Sequence, residues 1–362
     1  MTEETVRRAL TAVSYPGMRR DIVALGLVRE VRVRDDRVHV SLTLASPRPE
    51  VVDQLHDAIR QRLVAIGAVR VEVQVLMPEQ ATGTRAHPAA DRGRIPNVRH
   101  VVAVGAGKGG VGKSTVAVNL ALALQEMGLA VGLLDADIYG PSVPTLVGLE
   151  EGGRSIRMSD HRQILPLEAF GLAVVSFGFF LGPGSPVVWR GPMVGKAVKQ
   201  FARGVVWPAL DVLVVDLPPG TGDVPLALSE AVVVDGAIVV TTPQRLAVLE
   251  AGKAIEMFHK LGVPVLGLVE NMSHVTCRCG RRSHPFGKGG GAELAARTAT
   301  PLLAEVPFDE GAVGGGDAGR PILIDNPTGE TAGVFRIVAG ELHTALDAVA
   351  VPSPSRTTAA VP

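Results

Sequence analysis

The stretch GKGGVGKST, residues 107–115, decides the fold of most of this chain. It lies between the apolar run VVAVGA (101–106) and the run TVAVNLALALQEMG (115–128), which predicts a helix. The stretch matches G-x-x-x-x-G-K-[ST] in the strand–loop–helix setting that this pattern requires. Its glycines let consecutive backbone N–H groups curl around phosphate oxygens, and the start of the following helix adds positive potential. The sequence therefore predicts a nucleotide-binding loop.

Two lysines of this loop have different expected roles. Lys113 would reach the β- and γ-phosphates, and the Ser114 hydroxyl would take a position beside Mg²⁺. Lys108 is not required by the pattern. It is either a solvated charge or a second cation for the γ-phosphate of a neighbouring subunit, acting like an arginine finger. The predicted nucleotide-binding residues of the loop are Gly107, Lys108, Gly109, Gly110, Val111, Gly112, Lys113, Ser114 and Thr115.

Composition argues against several classes of protein. Lys plus Arg and Asp plus Glu each number 36 in 362 residues, so no net charge draws the chain to nucleic acid or to an anionic membrane. No apolar run reaches the roughly 18 residues that a membrane span needs. The start, MTEETVRRAL, lacks the apolar segment of a signal peptide. Two cysteines make no disulfide framework, so we expect a cytoplasmic protein without nucleic-acid or membrane partners.

Residues 1–77 are predicted to form a small α+β domain. Asp35 and Asp36 predict a hairpin turn between its first two strands. Residues 78–97 are polar, rich in Pro and Gly and without periodicity, which predicts a linker. From their apolar spacing, two helices are expected at residues 3–13 and 49–66, and three strands at residues 26–34, 37–45 and 69–77.

Residues 98–349 predict a doubly wound α/β domain with a mostly parallel sheet. Helical stretches separate most of its short apolar runs, and strands that are apolar on both faces indicate a sheet covered on both sides. Residues 329–350 predict a closing helix, and residues 350–362, rich in Pro, Ser, Thr and Ala, predict a disordered tail. The five apolar runs are VRHVVAVGA, AVGLLDA, DVLVVDLP, GAIVVTTP and VPVLGLVEN.

Aspartates lie at or just beyond the ends of two of these apolar runs. LLDADIYGPS places Asp135 and Asp137 at one strand end, and LVVDLPPGTGD places Asp216 at another. Ligands bind at the carboxyl edge of such sheets. We therefore expect Asp216 to act as a Walker-B aspartate, beside Mg²⁺ through water, and Asp137 to orient or deprotonate the attacking water. A single aspartate at a strand end is as often a helix cap. The order of the phosphate loop and these aspartates along the chain favours catalysis. PPGTG, residues 218–222, predicts a hinge that senses a γ-phosphate.

Together with the phosphate loop, further stretches resemble the Mrp/ApbC ATPases. These are iron-sulfur cluster carriers of the deviant-Walker group that includes MinD, ParA and the nitrogenase iron protein. The resemblance runs from residue 98 to residue 326, and the leading domain resembles the one often found before these ATPases and in iron-sulfur assembly factors. The stretches are KGGVGKST, LLDADIYGPSVPTLVG, VVWRGPMVGKAVKQF, LVVDLPPGTGD, VVTTPQ, VENMS and FGKGGG.

The resemblance implies a slow, dimeric ATPase. Lys108 would be the signature lysine that reaches the partner's nucleotide in an ATP-sandwiched homodimer. Asp137 and Asp216 would be the switch-I and switch-II aspartates. Asn271 in VENM and Pro307 in EVPFD would contact adenine, although a strand-end cap and a turn proline are about as expected without the family.

Both cysteines, Cys277 and Cys279, lie in VTCRCGRR, at the point where the family has C-x-x-C. A 4Fe-4S cluster usually takes four thiolates, and a two-fold dimer supplies two from each chain. The shorter C-x-C spacing alters the bite of the pair, while the neighbouring arginines favour a negatively charged cluster. The alternatives are a zinc site formed with His274 and His284, a redox-active disulfide, and two ordinary thiols.

The leading functional hypothesis is an ATP-hydrolysing homodimer that holds a labile cluster and passes it to apo-proteins. A MinD/ParA-like switch and an assembly scaffold without a cluster are the alternatives. The tail lacks the amphipathic helix of a MinD-like membrane anchor. The leading domain has Tyr15-Pro16 near its first helix and LASPRPE (44–50) after its second strand, without the cysteine found in relatives. We expect it to be a module that docks partners, such as cluster assembly factors, or regulates the ATPase, or else to serve as a structural cap.

Overall fold

The computed structural model consists of two compact units, Met1–Ala89 and Ala90–Pro362. The predicted turn at residues 35–36, most of the linker and the predicted tail lie outside the described residues, as do residues 15–16 and 44–48. The predicted domain boundaries at residues 77 and 98 therefore stay predictions. The structure describes residues 2–13, 21–23, 27–34, 37–43, 49–76, 93–149, 157–159, 163–180, 191–277 and 279–348.

The first unit is a three-stranded sheet with two helices, as its patterning predicts. Thr2 caps the first helix by accepting a hydrogen bond from the Thr5 amide, and acidic residues begin and basic residues end that helix, in keeping with its dipole. β1 and β2 form an antiparallel hairpin, and β3 runs parallel to β2. The elements are α1 (Glu3–Leu10), β1 (Val28–Arg34), β2 (Arg37–Thr43), α2 (Pro49–Ala65) and β3 (Arg70–Leu76).

The second unit is built on an eight-stranded sheet, with two short ribbons outside it. Its strands are β4 (Val98–Ala106), β5 (Val131–Asp135), β6 (Arg157–Met158), β7 (Ile164–Leu165), β8 (Leu167–Ala169), β9 (Leu172–Ser176), β10 (Leu210–Asp216), β11 (Gly236–Thr241), β12 (Val265–Glu270), β13 (Val275–Thr276), β14 (Arg282–Ser283) and β15 (Leu302–Glu305). Its helices are α3 (Lys113–Glu126), α4 (Val143–Leu146), α5 (Gly191–Arg203), α6 (Asp223–Ala231), α7 (Arg245–Lys260), α8 (Gly290–Thr298), α9 (Glu310–Asp317), α10 (Ile322–Asp325) and α11 (Glu330–Ala348).

The central strands of the sheet are buried on both faces, which explains why they are mostly apolar. Successive β4 residues alternate between two cores: Val101 and Ala103 pack in one, and Val102 and Val104 in the other. The first core includes residues of α5 to α8, and the second includes residues of α3 and α11. This is the doubly wound α/β fold that the sequence predicts. Within the described residues, no helix is long and apolar enough to cross a membrane.

The sheet has three strands that are not among the five predicted runs, namely β8, β9 and β15. Its order is β15-β12-β11-β4-β10-β5-β9-β8, and only β8 pairs antiparallel with its neighbour. β4, which leads into the phosphate loop, lies beside β10, and β10 lies beside β5. These neighbouring strands carry the loop and the predicted aspartates. Their register pairs Asp216 directly with Asp135, so two carboxylates meet at the carboxyl edge, where the strand order reverses.

Candidate functional site

The phosphate loop occupies the turn between β4 and α3 and depends on its glycines. Gly110 and Gly112 have φ angles of 80° and 78°, in the left-handed region that favours glycine. A side chain at Gly107 would overlap the Glu250 backbone of α7, so no larger residue fits there. The Asn271 amide donates to the Val111 carbonyl at 2.9 Å and braces the loop from β12. The loop therefore presents its backbone and the start of α3 to a phosphate chain.

A buried ion cluster lies beneath this loop. Lys113 Nζ is 2.6 Å from Asp216 Oδ1 and 3.7 Å from Asp137 Oδ2, and all three side chains are largely buried. The Ser114 hydroxyl donates to Asp216 Oδ2 at 2.5 Å. A hydroxyl and a carboxylate in contact at the mouth of the loop are hard oxygen donors of the kind Mg²⁺ prefers. The residues present thus fit two ligands. The Lys113 ammonium group suits a phosphate, and Ser114 with Asp216 suits a magnesium ion.

Asp135, the last residue of β5, has a different role from Asp137, which lies just beyond that strand. Its Oδ1 accepts the Asp137 amide at 3.1 Å, and its Oδ2 accepts the Val143 amide at 3.2 Å and the Ser176 hydroxyl at 2.8 Å. Asp135 thereby holds both ends of the loop on which Asp137 lies. Burial, reinforced by Asp216 beside it, raises the pKa of Asp135 from 3.8 to about 7.

Replacing Asp135 with asparagine should flatten the pH dependence of the stability of the Ala90–Pro362 unit. Because the folded-state pKa is raised, the stability linked to this group is fully present below the unfolded value of 3.8 and is lost as the pH rises through about 7. Denaturant unfolding at about pH 5 and about pH 8 measures this slope. Tryptophan fluorescence is a suitable probe, since both tryptophans of the chain lie in this unit.

Burial also raises the pKa of Asp137, so the asparagine variant should keep a weaker slope of the same sign. The slopes, not the absolute stabilities, are to be compared, because asparagine also replaces one hydrogen-bond acceptor with a donor. Equal slopes in the two proteins would mean that Asp135 is ionised in the folded state across this range.

Two pockets meet at the phosphate loop. The P-loop pocket is lined by loop residues together with Asp137, Ser142 and Pro219. The adjoining pocket shares Gly112, Thr115 and Leu146 with it and is more apolar. Its other lining residues include Asn271, Met272, Val306, Pro307, Phe308, Asp309, Thr331 and Phe335.

The structure brings most of the predicted site residues to these two pockets. The P-loop pocket contains Lys108, Gly109, Gly110, Gly112, Lys113, Ser114, Thr115 and Asp137, and the adjoining pocket contains Asn271 and Pro307. Asp216 lies directly below, bonded to Lys113 and Ser114. Asp309 and Thr331 also line the adjoining pocket and hydrogen-bond to each other at 2.6 Å, but sequence reasoning missed them. The only local signal was the EVPFD stretch, which contains Asp309 as well as Pro307.

Lys108 is half-buried at the edge of the P-loop pocket. Its Nζ donates to Gln244 Oε1 at 3.4 Å, at the start of α7. No carboxylate is paired with it among the described residues, in contrast to Lys113. Its charge is therefore available for an anion.

The cysteines lie on a separate feature, the cysteine hairpin. It comprises residues 275–283, that is, β13, β14 and the turn that joins them. The Cys277 amide donates to the Arg281 carbonyl at 2.9 Å, and the Gly280 amide to the Cys277 carbonyl at 2.8 Å. The two sulfurs form a disulfide, and both residues are exposed. A disulfide is one of the alternatives that the sequence left open, and its redox activity stays a prediction.

A zinc site with His274 and His284 is not formed in the part of the chain that the structure describes, where no three metal-binding side chains cluster. His274 is buried and packs toward His284. The His284 Nδ1 atom is engaged by the Ser273 carbonyl at 2.9 Å. Both imidazoles thus belong to the base of the hairpin, not to its tip.

Comparison with known proteins agrees with this architecture. An iron-sulfur cluster carrier protein of Deinococcus radiodurans is 42% identical over 340 residues, covering 94% of each chain. One of Escherichia coli K12 is 39% identical over 335 residues, covering 92% of this chain and 89% of that one. A nucleotide-binding protein of Archaeoglobus fulgidus, solved in complex with ADP, is 37% identical with a TM-score of 0.58, over 67% of this chain and 94% of that chain.

Similarity in fold extends further. The cell division ATPase MinD of Pyrococcus furiosus has a TM-score of 0.51 at 22% identity, over 68% of this chain and 99% of that chain. A family model for iron-sulfur cluster assembly proteins matches residues 3–75, and the model for NUBPL iron-transfer P-loop NTPases matches residues 97–343. With its phosphate loop, its buried Lys113–Asp216 pair and this extent of similarity, the chain belongs to the family of NUBPL iron-transfer P-loop NTPases.

Proposed function

We propose that this protein is an ATP-hydrolysing carrier that binds a 4Fe-4S cluster between two copies of the chain and transfers it to apo-proteins. One observation carries the proposal: an exposed cysteine pair lies on a hairpin that begins shortly after Asn271 and Met272, which line the pocket adjoining the phosphate loop of a P-loop NTPase. The relatives named iron-sulfur cluster carrier proteins support iron as the cargo.

The cluster is cargo held by thiolates. Reduction of the Cys277–Cys279 disulfide by two electrons and two protons frees two thiols per chain, and a 4Fe-4S cluster usually takes four thiolates. A two-fold dimer meets this number with one pair from each copy. Arg281 and Arg282 are exposed on the same hairpin and would favour the negative charge of the thiolate-bound cluster.

ATP would occupy both pockets, with its phosphates on the loop and its adenine in the adjoining pocket near Asn271 and Pro307. Lys113 would exchange its bond to Asp216 for the β- and γ-phosphates. Ser114 directly and Asp216 through water would hold Mg²⁺, which supplies charge neutralisation at the phosphates.

Hydrolysis would depend on a water positioned by Asp137. Desolvation of the buried carboxylate raises the pKa of Asp137, which makes that carboxylate a stronger proton acceptor. Lys108 of a second copy would stabilise charge on the γ-phosphate, so that turnover needs the dimer. ATP binding would close the dimer, and hydrolysis would loosen it and release the cluster to an apo-protein.

Anaerobic cluster reconstitution after reduction tests the proposal. Wild-type protein should bind about four irons and four sulfides per dimer, with visible charge-transfer absorption. The Cys277→Ala/Cys279→Ala variant should lose them while keeping ATP hydrolysis, because its phosphate loop is unchanged.

Two other results would contradict the carrier function. Iron absent from both proteins, with hydrolysis intact, would assign the chain to the MinD/ParA-like switches or to scaffolds without a cluster. Iron retained in the double variant would place the cluster on ligands other than the cysteine hairpin.

A further inference from the structure

The base of the cysteine hairpin is hydrogen-bonded to the wall of the adjoining pocket. The parallel pairing of β12 with β15 continues beyond the sheet, where the Val306 amide donates to the Glu270 carbonyl at 2.8 Å and the Ser273 amide to the Val306 carbonyl at 3.0 Å. The Phe308 amide then donates to the His274 carbonyl at 2.7 Å. The segment that leads to Cys277 is therefore bonded along its length to the pocket segment 306–308.

Side chains strengthen this connection. The Ser273 hydroxyl donates to the Val306 carbonyl at 3.0 Å and lies 2.8 Å from His274 Nδ1. His284, which follows the hairpin, bonds to the Ser273 carbonyl. Ser273 and His274 are both buried. Both ends of the hairpin are thus tied to one buried serine, which is itself tied to the pocket wall.

Glu330, the first residue of α11, joins the hairpin to a second part of the pocket wall. It accepts Arg282 Nη2 at 2.8 Å and the Thr276 hydroxyl at 3.5 Å, one from each strand of the hairpin. The next residue, Thr331, lines the pocket and donates to Asp309 at 2.6 Å.

The imidazole of His274 lies between these two connections. His274 Nε2 is buried, has no hydrogen-bond partner among the residues that the structure describes, and lies 3.8 Å from Glu330 Oε1. A small shift of α11 toward the hairpin would bring these atoms into contact. The pocket and the hairpin therefore share a set of contacts that has room for a second arrangement.

We propose that Ser273, His274 and Glu330 are positioning residues that couple nucleotide binding in the adjoining pocket to the arrangement of Cys277 and Cys279. The proposal rests on the proposed function for the placement of adenine in that pocket. A nucleotide that contacts segment 306–308 and Thr331 shifts both connections to the hairpin. By linkage, a cargo that fixes the two sulfurs changes nucleotide affinity by the same factor.

Thiol reactivity tests this coupling without a cluster and without hydrolysis. The disulfide is reduced, the reductant is removed anaerobically, and alkylation of Cys277 and Cys279 by iodoacetamide is followed by mass spectrometry. Rates are compared without nucleotide, with ADP, and with a non-hydrolysable ATP analogue. In wild-type protein, a saturating nucleotide should change the rate by about fivefold or more, the lower end of ordinary allosteric coupling.

Ser273→Ala/Glu330→Gln should reduce that ratio to below about twofold while nucleotide affinity stays within a few-fold, because neither side chain lines a pocket. His274→Gln, which keeps a polar group but not the ring, should give an intermediate ratio. Glu126→Gln is the matched control, since it breaks a comparable surface ion pair, with Arg336, elsewhere on α11. It should keep the wild-type ratio.

Several outcomes would overturn the coupling. These are a wild-type rate that does not respond to bound nucleotide, variants that keep the wild-type ratio, and a control that loses it as the variants do. An alkylation rate that does not respond to nucleotide can occur even where cluster reconstitution succeeds. That result would support the carrier function and contradict the coupling. A nucleotide response in a protein that binds no cluster would support the coupling and remove the carrier function.

Discussion

Alanine in place of Lys108 should lower ATP hydrolysis by about 10³-fold or more while leaving ATP affinity within a few-fold, as expected for a cation that acts on the transition state from outside the site. The loop backbone and Lys113 are unchanged in this variant, so the ground-state contacts that they make to the nucleotide are kept. Titration with a fluorescent nucleotide measures affinity, and phosphate release measures hydrolysis.

The Gln244→Ala variant is the control for this prediction. It removes the hydrogen bond that Lys108 makes within its own chain, at 3.4 Å, but leaves the ammonium group in place. Hydrolysis should therefore survive. An equal loss in both variants would mean that Lys108 acts by holding the start of α7, not by reaching a phosphate.

Mixing two inactive variants distinguishes a lysine that acts across the dimer from one that acts in its own chain. In a heterodimer of Lys108→Ala with Asp137→Asn, one site has an intact Asp137 and receives Lys108 from the other copy. If half of the dimers are mixed and each has one working site, activity should recover to about a quarter of the wild-type value. No recovery would place Lys108 in its own active site and would remove the argument for an ATP-sandwiched dimer.

Local pattern was enough to predict the P-loop and the strands around it. A phosphate loop has a nearly unique spacing, and buried parallel strands form apolar runs that end in characteristic residues. Two of the three missed strands lack that signal. Leu167–Ala169 and Leu302–Glu305 are short and lie at the two edges of the sheet, where burial on both faces is not required.

The distinction between Asp135 and Asp137 also needed the structure. The sequence placed both aspartates at a strand end, and only the register shows that Asp135 still pairs with Asp216 inside the sheet while Asp137 lies beyond it. Asp309 and Thr331 are 22 residues apart in the chain, and Arg282 and Glu330 are 48 apart. Contacts between residues so far apart in the chain leave no periodic pattern in the sequence, although they define the pocket and its link to the hairpin.

Alanine in place of Lys113 should have two separate effects. The first is the loss of nucleotide binding that the loop pattern predicts, roughly 100-fold or more for removal of a charged contact to phosphate. The second follows only from the structure. Lys113 Nζ bonds to Asp216 and approaches Asp137, and its removal leaves these buried carboxylates, with Asp135 beside them, without a cation.

Breaking such a buried pair costs about 3–5 kcal/mol of folding free energy. The variant should recover part of this loss at lower pH, because protonation removes the uncompensated charge. Denaturant unfolding at neutral and acidic pH, without nucleotide, measures both the loss and the recovery.

A second substitution separates the two roles. Lys113→Ala/Asp216→Asn should regain much of the lost stability, since the carboxylate left unpaired is now a neutral amide, yet it should bind nucleotide no better than the single variant. Wild-type stability in Lys113→Ala would mean that the carboxylates are already neutral in the folded protein. Restored ATP affinity in the double variant would mean that Lys113 acts only as a counter-ion and does not bind phosphate.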